Sequence, residues 1–180
     1  MFDNIRADKE RYIENGGWYR NLGFWFTLIY RYGYWTRITK LKVLKPLLRL
    51  VYFFLVLPIH VFYQVYIGSD VSIGPGFKME HPFAIIISSG VVIGKNCSVF
   101  HDVTFGVGPK RGQPKLCDSV VIFPGAKVLG GISIGENAHI GANVVLTRSI
   151  SPWVMVMPEK NRNLPMTMTK AFLKKKTSLE

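Results

Sequence analysis

The chain has 180 residues, about the length of one domain with a small appendage, and can bury a sizeable core. Its 23 Lys and Arg against 11 Asp and Glu give a formal net charge of +12 with 48% apolar residues, which excludes intrinsic disorder. The only cysteines, Cys97 and Cys117, exclude a disulfide scaffold and a four-thiolate zinc site and fit a reducing compartment.

In chain order, residues 1–66 read as a helical, basic and aromatic region. Met1 to Asn15 is charged and mixed, without the apolar run of a secretory signal. From Asn15 to Ser69 there is no acid, against Arg20, Arg31, Arg37, Lys40, Lys42, Lys45 and Arg49. The same stretch holds Trp18, Phe24, Trp25, Trp35 and Tyr52-Phe53-Phe54. Leu50 to Ile59 is apolar, but Arg49 precedes it and Pro58, His60 and Gln64 interrupt it, so the segment reads as lying on a surface rather than crossing a bilayer. Two readings stay open for residues 18–66: peripheral contact with an anionic membrane, or packing on the rest of the chain or on another copy.

From Ile67 apolar residues recur every six: Ile67, Ile73, Met79, then after a two-residue slip Ile87, Ile93, Val99 and Phe105. They resume at Leu116, Ile122, Val128, Ile134, Ile140 and Leu146. A second inward residue is expected four places on, including Val71, Phe77, Phe83, Val91 and Cys97. A short fixed period means a solenoid, and six residues suffice only for a strand and a turn. Three units close a triangular coil, so the repeats predict about four stacked coils over residues 67–157. Its ends are expected to be open and its sides to favour self-association. The remaining residues, 158–180, read as a basic tail.

The same counting picks out a site. His81 and His101 are each the third residue of a repeat, and the 20 residues between them are one coil plus the slip. They are therefore expected on one corner of adjacent coils, with Glu80 and Asp102 beside them. The excursion Gly106-Val-Gly-Pro-Lys-Arg-Gly-Gln-Pro-Lys115 is expected as a loop covering that corner.

Several segments carry a resemblance to a known family: Gly76-Phe-Lys-Met-Glu-His81, Ser98-Val-Phe-His-Asp-Val-Thr-Phe-Gly106, Ile122-Phe-Pro-Gly-Ala-Lys-Val-Leu-Gly130 and Ile134-Gly-Glu-Asn-Ala-His-Ile-Gly-Ala142. They resemble the hexapeptide-repeat acyltransferases of the serine-acetyltransferase-like branch, with most likeness to short enzymes that O-acetylate capsular, colanic-acid or lipopolysaccharide sugars. The resemblance implies a mainly β fold, a left-handed parallel β-helix with an α-helical N-terminal region, assembled as a homotrimer. It implies acetyl-CoA as co-substrate, no metal, and a bacterial cytoplasmic location at or near the inner membrane face. A glycan hydroxyl is the first expected acceptor, and serine the alternative.

By the same resemblance His81 is the general base, with His101 near it and Glu80 or Asp102 orienting the ring or binding the acceptor. Gly106, Ala126 and Ala142 are carried over to the pantetheine arm of CoA, and Arg148, Lys160 and Arg162 to its nucleotide. There are departures. The family's acid fifteen residues before the base falls on Tyr66, its second histidine on Gln113, and its long helical N-terminal domain has no counterpart. A zinc lyase of the γ-carbonic-anhydrase type and a non-enzymatic trimeric scaffold are further alternatives. The charge excess belongs to the N-terminal region, while residues 70–150 hold seven bases and five acids. That distribution suits an anionic surface and not nucleic acid.

Overall fold

The structure is a computed structural model that describes residues 2–13 and 17–158, and the backbone alone of 162–165. Helix α1 (Phe2–Glu10), a 3-10 turn (Trp18–Arg20), α2 (Leu22–Ile38) and α3 (Lys45–Tyr63) precede fifteen short strands. Three parallel sheets form a triangular solenoid. The first stacks β1 (Tyr66–Ile67), β4 (Ile86–Ile87), β7 (Thr104–Gly106), β10 (Lys127–Leu129) and β13 (Val145–Leu146). The second stacks β2 (Ser72–Ile73), β5 (Val92–Ile93), β8 (Lys115–Leu116) and β11 (Ser133–Ile134). The third stacks β3 (Lys78–Met79), β6 (Ser98–Val99), β9 (Val121–Ile122), β12 (His139–Ile140) and β14 (Val154–Met157), with β15 (Arg162–Pro165) antiparallel to β14.

The six-residue period is the cause of this shape. Each strand's leading aliphatic points inward and stacks on its counterpart one coil away: Met79 on Val99, Val99 on Ile122, and Ile122 on Ile140. These residues and the second inward set form one continuous core, and each fully buried aliphatic contributes on the order of 1.5–3 kcal/mol. The second set departs from expectation at one place. Phe83 is half exposed, and Ile85 takes the inward slot with no exposure. The slip therefore precedes Ile85, inside the corner that holds His81.

That displacement has a stereochemical cause. The fourth residue of most repeats is left-handed, as at Gly76, Asn96, Asp102, Gly125, Asn137 and Asn143. In the Met79 repeat the fourth residue is Pro82, whose ring fixes φ near −65° and forbids that turn. The chain spends two extra residues there, and left-handed conformations fall on His81 (φ 50°) and Ala84 (φ 52°).

The first coil is not open, contrary to expectation. Helix α2 lies over it, with Phe26 and Tyr30 in the core, and the Tyr30 hydroxyl donates to Val71 O at 2.8 Å. Burial pushes the Tyr30 pKa up to about 12, which keeps the phenol a donor. Arg31 donates to the carbonyls of Ile73 and Gly74 and pairs with Asp8 at 3.0 Å, while Asp8 accepts from Phe77 N–H. These side chains satisfy edge groups that would otherwise template another strand.

Candidate active site

His81 lies between β3 and β4, and His101 between β6 and β7, so both occupy the corner from the third sheet to the first. The register Lys78↔Ser98 and Met79↔Val99, carried two residues on, sets His101 against His81 on the adjacent coil. Coils are about 4.8 Å apart, so the imidazoles belong to one column. Both residues are exposed, and neither ring makes a hydrogen bond among the described residues. The left-handed backbone at His81 is an unfavourable conformation for a residue with a Cβ, at about 1–2 kcal/mol. Strain of this kind gathers at functional positions.

The two carboxylates are engaged elsewhere. Glu80 Oε1 accepts from Lys78 Nζ at 2.6 Å, beneath the ring of Tyr12, and both side chains are largely buried. Asp102 accepts from Lys127 Nζ at 2.7 Å. Asp70, in the turn after β1, pairs with Arg37 at 3.4 Å. Each acid near the start of the solenoid thus has a cation of its own. Tyr66, where the resemblance expects an acid, is outward on β1 with its ring 5.6 Å from that of His60.

Lys78 and Lys127 were not foreseen as site neighbours. Lys78 and Glu80 are two apart on one strand, and hence on the same face, which is the signal that identifies the pair. Lys127 reaches Asp102 only across the enlarged coil, whose register Ser98↔Val121 absorbs the excursion.

That excursion does not cover the histidine corner within the chain. It leaves the first sheet after β7 and returns at β8, which is the next corner round the triangle. It folds along Gly130 and Gly131, with Gly130 N–H donating to Gly106 O and Gly131 N–H to Lys110 O. Gly106 and Arg148 stand at this second corner, while Ala142 is exposed at the histidine corner. Ala126 is wholly buried in the core, so its methyl group does not line an outer groove. Lys160 lies outside the described residues. Of Arg162 only the backbone is described, paired with Met157.

His139 sits on β12, away from the corner column, with its ring 6.0 Å from that of Phe123. Phe123 stacks in turn on Phe100 at 5.5 Å. Among the described residues no three His, Cys, Asp or Glu side chains gather as a metal site. The three histidines of a γ-type zinc lyase therefore have no counterpart there.

Residues 114–148 match the family described as "Bacterial transferase hexapeptide (six repeats)". The serine acetyltransferase of Synechococcus elongatus is 32% identical over 161 residues, covering 83% of this chain and 63% of its own length. That of Buchnera aphidicola subsp. Schizaphis graminum is 36% identical over 99 residues, covering 53% and 38%. The chain thus spans less than two thirds of these relatives. A solved serine acetyltransferase complexed with CoA shares the fold, with a TM-score of 0.74, 24% identity, and coverage of 90% of this chain and 68% of that one. The expectation of a polysaccharide or other glycan acceptor, with serine second, is corrected by these relatives: the named homologues are serine acetyltransferases. Short aliphatic hexapeptides specify the coil and say little about the acceptor, which is why the resemblance ranked the two wrongly. By its repeats and its relatives the chain belongs with the bacterial hexapeptide-repeat transferases.

Proposed function

We propose that the chain is an acetyl-CoA-dependent O-acetyltransferase whose acceptor is the hydroxyl of serine. The observation that carries this reading is the identity of 32–36% to serine acetyltransferases over segments that include the histidine corner. His81 is the general base. An aliphatic hydroxyl does not ionise near neutral pH, so a neutral imidazole takes its proton as the oxygen attacks the thioester carbonyl. A positioned base of this kind is worth about 10²–10⁴ in rate. Collapse of the tetrahedral intermediate breaks the C–S bond, and the proton held by His81 goes to the departing thiolate of CoA.

His101 flanks the acceptor from the next coil, while Glu80 and Asp102 shape its surroundings through Lys78 and Lys127. The CoA groove runs between two subunits of a trimer, so Gly106 and Arg148 of one corner meet Ala142 and the histidines of another chain's corner. Lys160 and Arg162 approach the nucleotide.

The test is release of CoA thiol from acetyl-CoA with and without L-serine. Serine-dependent release in the wild type, lost by about 10²-fold or more in His81→Ala, is expected. Release no faster than background hydrolysis with serine, or an unaltered rate in a folded His81→Ala variant, overturns the reading.

A further inference from the structure

We infer that the outward face of α3 seats in the surface of an anionic lipid bilayer. The face itself is the first observation. Of the nineteen residues of α3 only Ile59 is buried, and among the described residues this is the one helix long and apolar enough to cross a membrane. Its inward stripe, Leu48, Tyr52, Val56, Ile59 and Tyr63, follows helical spacing toward α2 and the first coil. The opposite side is apolar as well: Leu50, Phe53, Phe54, Leu57, Val61 and Phe62 are all exposed, Phe62 by 73%. A helix that covers part of a water-soluble surface carries polar residues there, and a contiguous apolar face marks an interaction site.

Charge decides the occupant. The N-terminal end of α3 and the loop before it carry exposed Lys40, Lys42 and Arg49, with Lys45 between them, and Val43 in that loop is 93% exposed. No acid lies anywhere from Asn15 to Ser69. A second copy of this face would bring the same uncompensated positive charge against itself. A bilayer containing anionic headgroups neutralises it and accepts the aromatic side chains at the headgroup boundary, with Arg49 reaching outward from the apolar face. The helix lies in the plane of the interface, because its inward stripe is already committed to α2.

The test is flotation of the full chain with vesicles. With mixed phosphatidylcholine and phosphatidylglycerol the wild type floats, and with phosphatidylcholine alone it stays in solution. Raising the salt weakens partitioning by screening the bases. Phe53→Asp with Phe54→Asp, and separately Lys40→Glu with Lys42→Glu, lower partitioning at least roughly tenfold while the circular dichroism spectrum and melting profile are kept. The second pair is in an exposed segment and reports even where the first perturbs the helix. Absence of anionic-vesicle binding by the wild type, or binding unchanged in both variants, overturns the inference. So does a drop in oligomer mass in Phe53→Asp/Phe54→Asp without any lipid binding, which assigns the face to self-association.

Discussion

Pro82 dictates the backbone of His81. Because proline occupies the repeat position that is left-handed elsewhere, the turn is rebuilt and His81 takes φ 50° one residue earlier. Glycine is at home in that region and alanine is not. His81→Gly is therefore expected to be more stable than His81→Ala by about 1 kcal/mol, although glycine also loosens the unfolded chain. Urea denaturation of the two variants measures the difference. Equal stabilities, or a less stable glycine variant, would show that the left-handed corner carries no strain.

The Lys78–Glu80 pair stands under Tyr12, next to the histidine column. Removing one partner of a buried pair leaves a charge without compensation, at about 3–5 kcal/mol in a fully dry site. Glu80 is one fifth exposed, so Lys78→Met is expected to destabilise the protein by less, about 1–3 kcal/mol. Lys78→Met combined with Glu80→Gln should recover most of that loss. A double-mutant cycle by chemical denaturation provides the check, and additive losses would mean that the two side chains are uncoupled.

The coils were legible because inward aliphatics such as Ile73, Ile93, Leu116 and Ile134 repeat by count alone, and burial acts on each of them identically. His81 and His101 were legible for the same reason, since their separation is a whole coil plus the slip. What the count cannot carry is everything perpendicular to it. Phe83 lost its inward slot to Ile85 because proline stereochemistry outranks periodicity at one corner. The excursion 106–115 was placed over the histidines because a loop's direction is set by the corner at which it leaves, not by its composition. Lys78 lies buried because α1 covers it, a contact between residues far apart in the chain. The acceptor was misjudged because acceptor contacts lie outside the repeat pattern.

The N-terminal region is fastened to the solenoid by Asp8 and Arg31, whose side chains are 2% and 5% exposed. Arg31→Met leaves the Asp8 carboxylate buried with Phe77 N–H as a remaining donor, and costs about 3–5 kcal/mol. Gly23→Ala attacks the same junction independently, because an added Cβ would overlap the backbone oxygen of Met79. Both variants are expected to unfold at lower denaturant, with tryptophan fluorescence of the helical region changing in the same transition. A loss below about 1 kcal/mol in Arg31→Met would mean that the helices are held by apolar packing alone.

The two thiols should differ sharply in reactivity. Cys97 is in the core, and burial pushes its pKa up to about 11, so almost no thiolate forms near neutrality. Cys117 is exposed. Under native conditions a thiol reagent is expected to label Cys117 alone, and Cys97 only after unfolding. Mass spectrometry of the labelled peptides decides the matter; native labelling of Cys97 would place it outside the core.

Acid should weaken the fold through His139. Burial lowers its pKa from the ordinary 6.5, and its Nδ1 is buried without a hydrogen-bond partner among the described residues. A lowered folded-state pKa means that the unfolded chain takes up the proton first. The contribution to stability is therefore complete above about pH 6.5 and is lost as pH falls below it toward the folded value. His60, lowered by burial too, acts in the same direction from the helical region. In His139→Phe the ring keeps its edge against Phe123 while both the proton uptake and the orphaned nitrogen disappear. The variant is thus expected to lose less stability than the wild type between neutral pH and pH 5, with the residual slope coming from His60 and the carboxylates. Melting curves across that range measure it. Parallel pH profiles for the two proteins would mean that the His139 ring is solvated well enough to titrate as it does in the unfolded chain.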